Sequence, residues 1–335
     1  MSTTGPLRVG VIGLGYFGER HARIYRQLPH AQLVAVCDVD GARAKVVGDE
    51  LGATPLTDAA ALLKRTDIDS VSICLPDRLH TDVAIAAAEA GKTILLEKPL
   101  AHDYDNAKRI VAAVEKAGVR FMVAHILRFD PRYVQVHEAA APERMGRPIH
   151  LRAKRNGVRA TARRLGNASS ILFYMGVHDI DMMQWVARSP ITRVYAQKIS
   201  VLGTGNEDAL YAVVNFENGA IGQIDYSWAW PDGLTNGYRA AFEVVGERAA
   251  AAMDVTDQGF VVVDEMGTTG GDTHLWPEIN GRIVGDLADE LAHFVSAALT
   301  GEAFVQPYQE ALAAIPVLDA LAQSAISSQP VEVRR

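Results

Sequence analysis

Between residues 7 and 122, short apolar, β-branched runs alternate with longer stretches of helical period, a pattern that predicts a parallel sheet wrapped by helices. The runs fall at residues 8–12, 32–37, 70–75, 93–97 and 120–123. Between them lie helix start and stop signals. Asp58 heads an alanine- and leucine-rich segment, Gly91 follows a helix expected to end near Ala90, and Gly118 closes one that begins at Asp103. After Pro131 the period changes. Residues 149–154, 191–202 and 209–216 read as longer strands with partial alternation, and Asn218-Gly219 predicts a hairpin turn. Further strands are expected at 241–245, 250–255 and 260–264, and closing helices at 284–299 and 308–325. Residues 267–281, rich in Gly and Thr, are expected to form a loop near a site. The chain therefore divides into an α/β domain over 1–125 and an α+β domain over 126–335. The second is built on a large, mostly antiparallel sheet, and its final helix is placed to pack back on the first domain.

The first turn carries chemistry. Gly13-Leu14-Gly15-Tyr16-Phe17-Gly18 is a G-x-G-x-x-G run with a buried strand before it and a helix after it, the context of a Rossmann dinucleotide site. The first glycine allows the tight turn, the second lets a diphosphate approach the backbone, and the third lets helix and strand pack closely. The diphosphate would sit on the helix N-terminus, where unpaired N–H groups and the dipole favour an anion. Asp38, about 20 residues further on and at the end of the second strand, is placed to accept hydrogen bonds from the adenosine ribose and to repel a 2′-phosphate. The nearest arginine in sequence is Arg43, in the next helix. The cofactor expected is NAD rather than NADP.

Composition narrows the partners. A chain of 335 residues with 49% hydrophobic composition can bury a large core, and a formal charge of −7 with pI near 5.8 argues against nucleic acid or an anionic membrane as partner. The start has no signal-peptide pattern and no stretch of about 18 uncharged apolar residues occurs, so a cytoplasmic location and a small-molecule partner are expected. Cys37 and Cys74, the two cysteines, each lie in an apolar run and suit buried free thiols rather than a disulfide or a zinc site; no metal is called for.

Cys74-Leu75-Pro76 with His80 close behind, Glu97-Lys98-Pro99 after Leu95-Leu96, Gly176-Val177-His178-Asp179-Ile180-Asp181, and Phe242-Glu243-Val244-Val245-Gly246 together resemble the glucose-fructose oxidoreductase and inositol dehydrogenase (Gfo/Idh/MocA) family over nearly the whole chain. The resemblance implies that Lys98 touches the reacting hydroxyl and that His178 serves as acid and base. It implies a cofactor set of Gly13, Gly15, Tyr16, Phe17, Gly18, Asp38, Leu75, Pro76, His80, Glu97 and Lys98. It also implies a homodimer or homotetramer. The chemistry agrees: hydride leaves an alcohol carbon only as the hydroxyl proton is taken, which neutral imidazole, of reference pKa about 6.5, can do, while an ammonium stabilises the developing alkoxide. Outside the E-K-P context, a strand-end lysine would be read as a surface residue.

Many members carry an aspartate four residues before the histidine; here Tyr174 stands there. At about 100° per residue, Tyr174, His178 and Asp181 share one helix face if the helix has begun by Tyr174. Either Asp181 orients the imidazole, or Tyr174 meets the substrate. Arg128, just past the fifth strand run, and Trp228, as an apolar platform for a sugar ring, are further candidate substrate contacts. Residues 147–164 are dense in Arg and Lys, which suits either an anionic group or a charged strand edge. The expected activity is an NAD-dependent oxidoreductase acting on a cyclic polyol, sugar or sugar derivative. A dehydrogenase of a sugar nucleotide or glycoside, and a non-catalytic dinucleotide-binding sensor or scaffold, remain as alternatives.

Overall fold

The computed structural model describes residues 5–234, 237–255, 260–265 and 267–334. The chain divides into two compact units, one formed by Met1–Ile126 with Trp276–Leu312, the other by Leu127–Leu275 with Ala313–Arg335. The chain first passes from one unit to the other between Ile126 and Leu127. Trp276–Leu312 returns to the first unit: the penultimate helix, Asp286–Thr300, packs on its first strand and first helix, where Leu287, Leu291, Phe294 and Val295 are buried, and Tyr308, which opens the final helix, lies 5.8 Å from the Phe121 ring.

The first unit is a six-stranded sheet in which β1 (Leu7–Ile12), β2 (Ala31–Cys37), β3 (Thr54–Leu56), β4 (Ser70–Ile73), β5 (Thr93–Glu97) and β6 (Phe121–Ala124) run in the order β3-β2-β1-β4-β5-β6. All five strand pairs are parallel. This is the Rossmann order, with its reversal between β1 and β4. β4 is buried at every position and β1 at all but Arg8, because helices cover both faces. Between them run α1 (Tyr16–Gln27), α2 (Gly41–Leu51), α3 (Ala59–Leu63), α4 (His80–Glu89) and α5 (Tyr104–Ala117). Their ends follow the local chemistry read above. Asp58 and Asp103 accept backbone N–H bonds as N-caps, and Gly118 takes the left-handed conformation that ends α5. β3 escapes the sequence pattern because it is three residues long, contains Pro55 and lies at the sheet edge.

The second unit is a seven-stranded mixed sheet. β7 (Pro148–Val158), β8 (Ile191–Ile199), β9 (Ala209–Phe216), β10 (Ile221–Trp230), β11 (Tyr238–Gly246) and β12 (Ala250–Asp254) lie in the order β12-β11-β7-β10-β9-β8, with the short strand Val331–Glu332 beyond β8. Only β7 and β10 pair in parallel. The Asn218-Gly219 hairpin forms between β9 and β10, with Gly219 at φ 88° and the Asn218 side chain accepting from Ala220 N–H. Strict alternation along β9 buries Leu210, Ala212, Val214 and Phe216 on one face, the three larger side chains each worth about 1.5–3 kcal/mol if wholly removed from water. The helix Val177–Ala187 covers that face of the sheet at β7. Part of the expected loop over 267–281 is instead paired: Gly267–Gly270 forms an antiparallel ladder with Val261–Asp264. The final helix, Tyr308–Ser327, is long and apolar enough by composition to cross a membrane, but Ala314, Ile315, Val317, Leu318 and Leu321 are buried in the protein.

Candidate functional site

In the first unit the chain turns from β1 into α1 through the glycine run. Gly13 has φ 87°, and a Cβ there would lie 2.5 Å from the Cys74 carbonyl oxygen; a Cβ on Gly18 would lie 1.7 Å from the Gly13 carbonyl oxygen. Neither position admits a side chain. Gly15 differs, for a Cβ there meets no atom within 4 Å, and it is the N-cap of α1 without a side-chain cap. Its backbone thus borders open space at a helix N-terminus whose N–H groups need an acceptor, which fits a dinucleotide diphosphate.

Asp38 stands at the end of β2. One carboxylate oxygen accepts from Leu14 N–H at 2.7 Å and the other from Asp40 N–H at 2.9 Å, so the acid is fixed beside the glycine loop. Arg43 Nη1 approaches it to 3.8 Å, closer than the five-residue separation along the chain implied. Tyr16 and Phe17 open α1 and form an aromatic cluster with Trp276: the indole Nε1 donates to the Tyr16 hydroxyl at 3.0 Å, and the Phe17 and Trp276 ring centroids are 5.2 Å apart. Trp276 was not singled out in the sequence, since it lies 260 residues away from Tyr16.

Beyond β4, Leu75 and Pro76 form the next turn, and His80 is wholly buried behind it. Its Nδ1 is 2.8 Å from the Pro99 carbonyl oxygen and its Nε2 is 2.8 Å from the Leu75 carbonyl oxygen. His80 therefore ties the turn after β4 to the turn after β5, with its ring in the protein interior. Burial holds its pKa below the ordinary histidine value. A neutral ring donates to only one of the two carbonyls.

Lys98, half-buried, follows Glu97 at the end of β5 and precedes a cis Lys98–Pro99 peptide. Glu97 is buried, with Oε2 accepting the Lys98 backbone N–H at 3.2 Å and Oε1 lying 3.3 Å from His21 Nε2. The other face of the His21 ring places Nδ1 3.0 Å from the Ser72 hydroxyl, which is also 3.0 Å from the Tyr25 hydroxyl. Burial pushes the Glu97 carboxyl up, but the neighbouring His21 ring and the Lys98 ammonium outweigh it and leave the group below the ordinary carboxylate range. This buried chain through α1, β4 and β5 was missed from sequence. Its one local sign was the i, i+4 spacing of His21 and Tyr25 on the inner face of α1.

The second unit carries His178, half-buried in the first turn of the helix Val177–Ala187. The residues before it, Leu172–Gly176, form a π turn rather than α-helix. The one-face argument for Tyr174, His178 and Asp181 assumed α geometry from Tyr174 onward, and a π turn changes the angular step, so that argument does not hold. Asp181 is instead held by Arg128 through two parallel hydrogen bonds, Nε and Nη2 each at 2.8 Å, both residues being buried. Arg128 also lies 4.3 Å over the Trp185 ring. Asp179 is held in the same way by Arg155, whose Nη2 also donates to the Tyr133 hydroxyl at 2.8 Å. Two residues expected to face the substrate or the imidazole, Arg128 and Asp181, thus meet each other in the interior. Trp228 is fully buried, 6.0 Å from the Tyr174 ring and against Gly157, so it packs the core and does not offer a sugar platform. Tyr174 is half-buried and its hydroxyl accepts from Arg164 Nη2 at 3.1 Å.

Residues 7–125 match the oxidoreductase family with NAD-binding Rossmann fold (Gfo/Idh/MocA), and residues 133–252 match the Gfo/Idh/MocA C-terminal domain. Among the similar proteins, the uncharacterized oxidoreductase YrbE of Bacillus subtilis is 30% identical over 75% of this chain and 74% of its own length. Inositol 2-dehydrogenase 4 of Saccharopolyspora erythraea is 30% identical over 88% of this chain and 86% of its own. Among solved structures, a probable dehydrogenase from Thermotoga maritima aligns with a TM-score of 0.82 at 26% identity, covering 98% of this chain and 99% of that one.

Proposed function

Since the chain belongs to the Gfo/Idh/MocA oxidoreductase family, we propose that it is an NAD-dependent dehydrogenase that moves hydride between the cofactor and a hydroxyl-bearing carbon of a cyclic polyol, sugar or sugar derivative. The observation that carries the reading lies within the first unit. Lys98 follows directly on β5, two strands from β1 in the sheet order, so the lysine and the open glycine loop occupy the same carboxyl edge where such sheets bind their ligands.

Gly15 and the start of α1 hold the diphosphate, and Asp38 takes the adenosine ribose. The bound nicotinamide ring supplies the hydride acceptor. Lys98 points an ammonium at the substrate oxygen and stabilises the alkoxide as it develops. His178 takes the hydroxyl proton in oxidation and returns it in reduction. His80 and the Glu97–His21 contact act behind these groups, holding the turns after β4 and β5 in place. Arg128 and Asp181 support the His178 helix from inside.

The test is turnover of NAD with a panel of inositols, hexoses and their derivatives, followed by Lys98→Met. The variant is expected to lose at least about 1000-fold in kcat while its NAD dissociation constant changes less than about threefold, because the lost contact is with the substrate oxygen. Binding of NAD without turnover of any panel member, or a cofactor affinity that falls as far as kcat, would count against the reading.

A further inference from the structure

The helix that follows β7, Arg159–Leu165, brings three arginines to one short segment. Several arginines of this unit end on a carboxylate. Arg128 has Asp181, Arg155 has Asp179, Arg132 has Asp130 and Arg163 has Asp232. Arg159 donates to the Ala229 carbonyl oxygen and stands near enough to Asp232 to lower that acid's pKa. Arg164 is different. It is exposed, it donates to the Tyr174 hydroxyl, and among the described residues no carboxylate comes within ion-pair distance of it.

The partner it has chosen is the informative part. Tyr174 stands in the π turn that leads directly into the first turn of the His178 helix. A phenol does not neutralise a guanidinium, which stays charged at any pH the protein experiences. The nearest acids along the same helix, Asp179 and Asp181, are each engaged in two parallel hydrogen bonds to a buried arginine, so their charge is spent inside the fold. The result is a fixed positive charge bonded to the turn that leads into the His178 helix, in a chain whose formal charge is −7. A neutral polyol gains little from that charge, whereas a carboxylate or phosphate can take two parallel N–H bonds from the guanidinium fork.

We infer that the substrate is an acidic polyol or sugar, its carboxylate or phosphate held by Arg164, with the Tyr174 phenol steadying the guanidinium and adding its own hydroxyl as a second contact. This rests on the dehydrogenase reading for the identity of the reaction, and adds to it the charge class of the molecule oxidised. The phenol at 174 and the arginine at 164 are then one device: a carboxylate at 174 would pair with Arg164 and remove the charge that the substrate needs.

The experiment compares neutral and acidic partners of like shape on the unaltered protein, Arg164→Gln and a control, Arg193→Gln, whose guanidinium lies at the far sheet edge near Glu332. The compounds are glucose, myo-inositol, gluconate, glucuronate and glucose 6-phosphate, each measured for NAD turnover and, separately, for its effect on thermal unfolding. The expected result is a kcat/KM for one of the acidic compounds at least about tenfold above its neutral parent, a ratio that falls with added salt and collapses toward one in Arg164→Gln through KM, while Arg193→Gln keeps it. Carboxylate and phosphate are separated by which acidic compound shows the effect. Neutral compounds used as well as acidic ones, or a ratio unmoved by Arg164→Gln, overturns the inference while leaving the dehydrogenase reading standing. If nothing turns over, the unfolding data decide. Protection by an acidic compound that is lost in Arg164→Gln upholds the anion site and sinks the dehydrogenase reading; the absence of any such protection sinks both.

Discussion

Asp38 is the residue to which we assign cofactor choice, and the structure changes what its replacement should do. Sequence spacing put Arg43 a turn into the next helix; in the fold its guanidinium reaches to 3.8 Å from the Asp38 carboxylate. On that assignment, a cation that would face a 2′-phosphate is already present, and the acid is what denies it. Asp38→Ser alone is expected to weaken NAD binding about 10- to 100-fold, since it removes the ribose acceptor and the bond from Leu14 N–H, and to raise kcat/KM for NADP. Adding Arg43→Ala should take the NADP gain away. If Asp38→Ser leaves the ratio of NADP to NAD use unchanged, Asp38 does not set the preference. At this scale the sequence was legible where geometry is local: the tight turn at Gly13 and Gly18, the open backbone at Gly15, and Asp38 at the end of its strand. It was not legible where a partner comes from far along the chain: Arg128 and Asp181 are 53 residues apart, and His21 meets Ser72 across 51. Nothing in a local pattern says that a charged residue near a site is already taken.

Elements divide along similar lines. Strands buried on both faces and helices closed by Asp and Gly were readable because their signals are contiguous and strong. β3 was not, being a three-residue edge strand, and neither was the π turn at Leu172–Gly176, because the apolar spacing there is compatible with α-helix and the extra residue per turn has no compositional mark. The β1–α1 turn gives the sharpest test at this level, because its glycines serve different ends. Gly15→Ala meets no atom within 4 Å and has an ordinary φ of −68°, so the variant is expected to fold with little change in Tm. Its methyl group would occupy the space the diphosphate needs, and NAD affinity should fall at least about tenfold. Gly18→Ala forces a methyl onto the Gly13 carbonyl, a clash with backbone that cannot be relieved by rotating a side chain. It should destabilise by about 3 kcal/mol or more, seen in thermal or urea unfolding without any ligand. Equal loss of stability in the two variants would show that the turn is a packing device only.

At the scale of the whole chain, the return of Trp276–Leu312 to the first unit places one unusual group in the interior. Glu290, on the helix Asp286–Thr300, is fully buried, and neither of its carboxyl oxygens has a hydrogen-bond partner among the described residues. Burial raises its pKa well above the ordinary glutamate value, and the charges of Glu97 and Asp286 raise it further. The sign of the consequence for stability is opposite to that of a salt-bridged acid. Below about pH 4.5 the group is protonated in both folded and unfolded chains and contributes nothing; as pH rises above that, the unfolded chain releases the proton while the folded one keeps it, so stability falls with pH until the folded value is passed. Glu290→Gln replaces the acid with a group of the same shape that never ionises. Its Tm relative to the unaltered protein is expected to climb as pH is raised from 4.5 through neutrality, and to hold a constant offset below that window. The expected result is the sign and the pH window: a Tm difference that opens above about pH 4.5 and widens as pH rises. The measurement is a set of unfolding scans of both proteins at matched ionic strength from pH 4 to pH 9. Parallel curves across that range would mean that Glu290 is ionised in the folded chain, with a compensating cation or solvent at a group that the packing of Leu287, Leu291 and Phe294 otherwise seals from water.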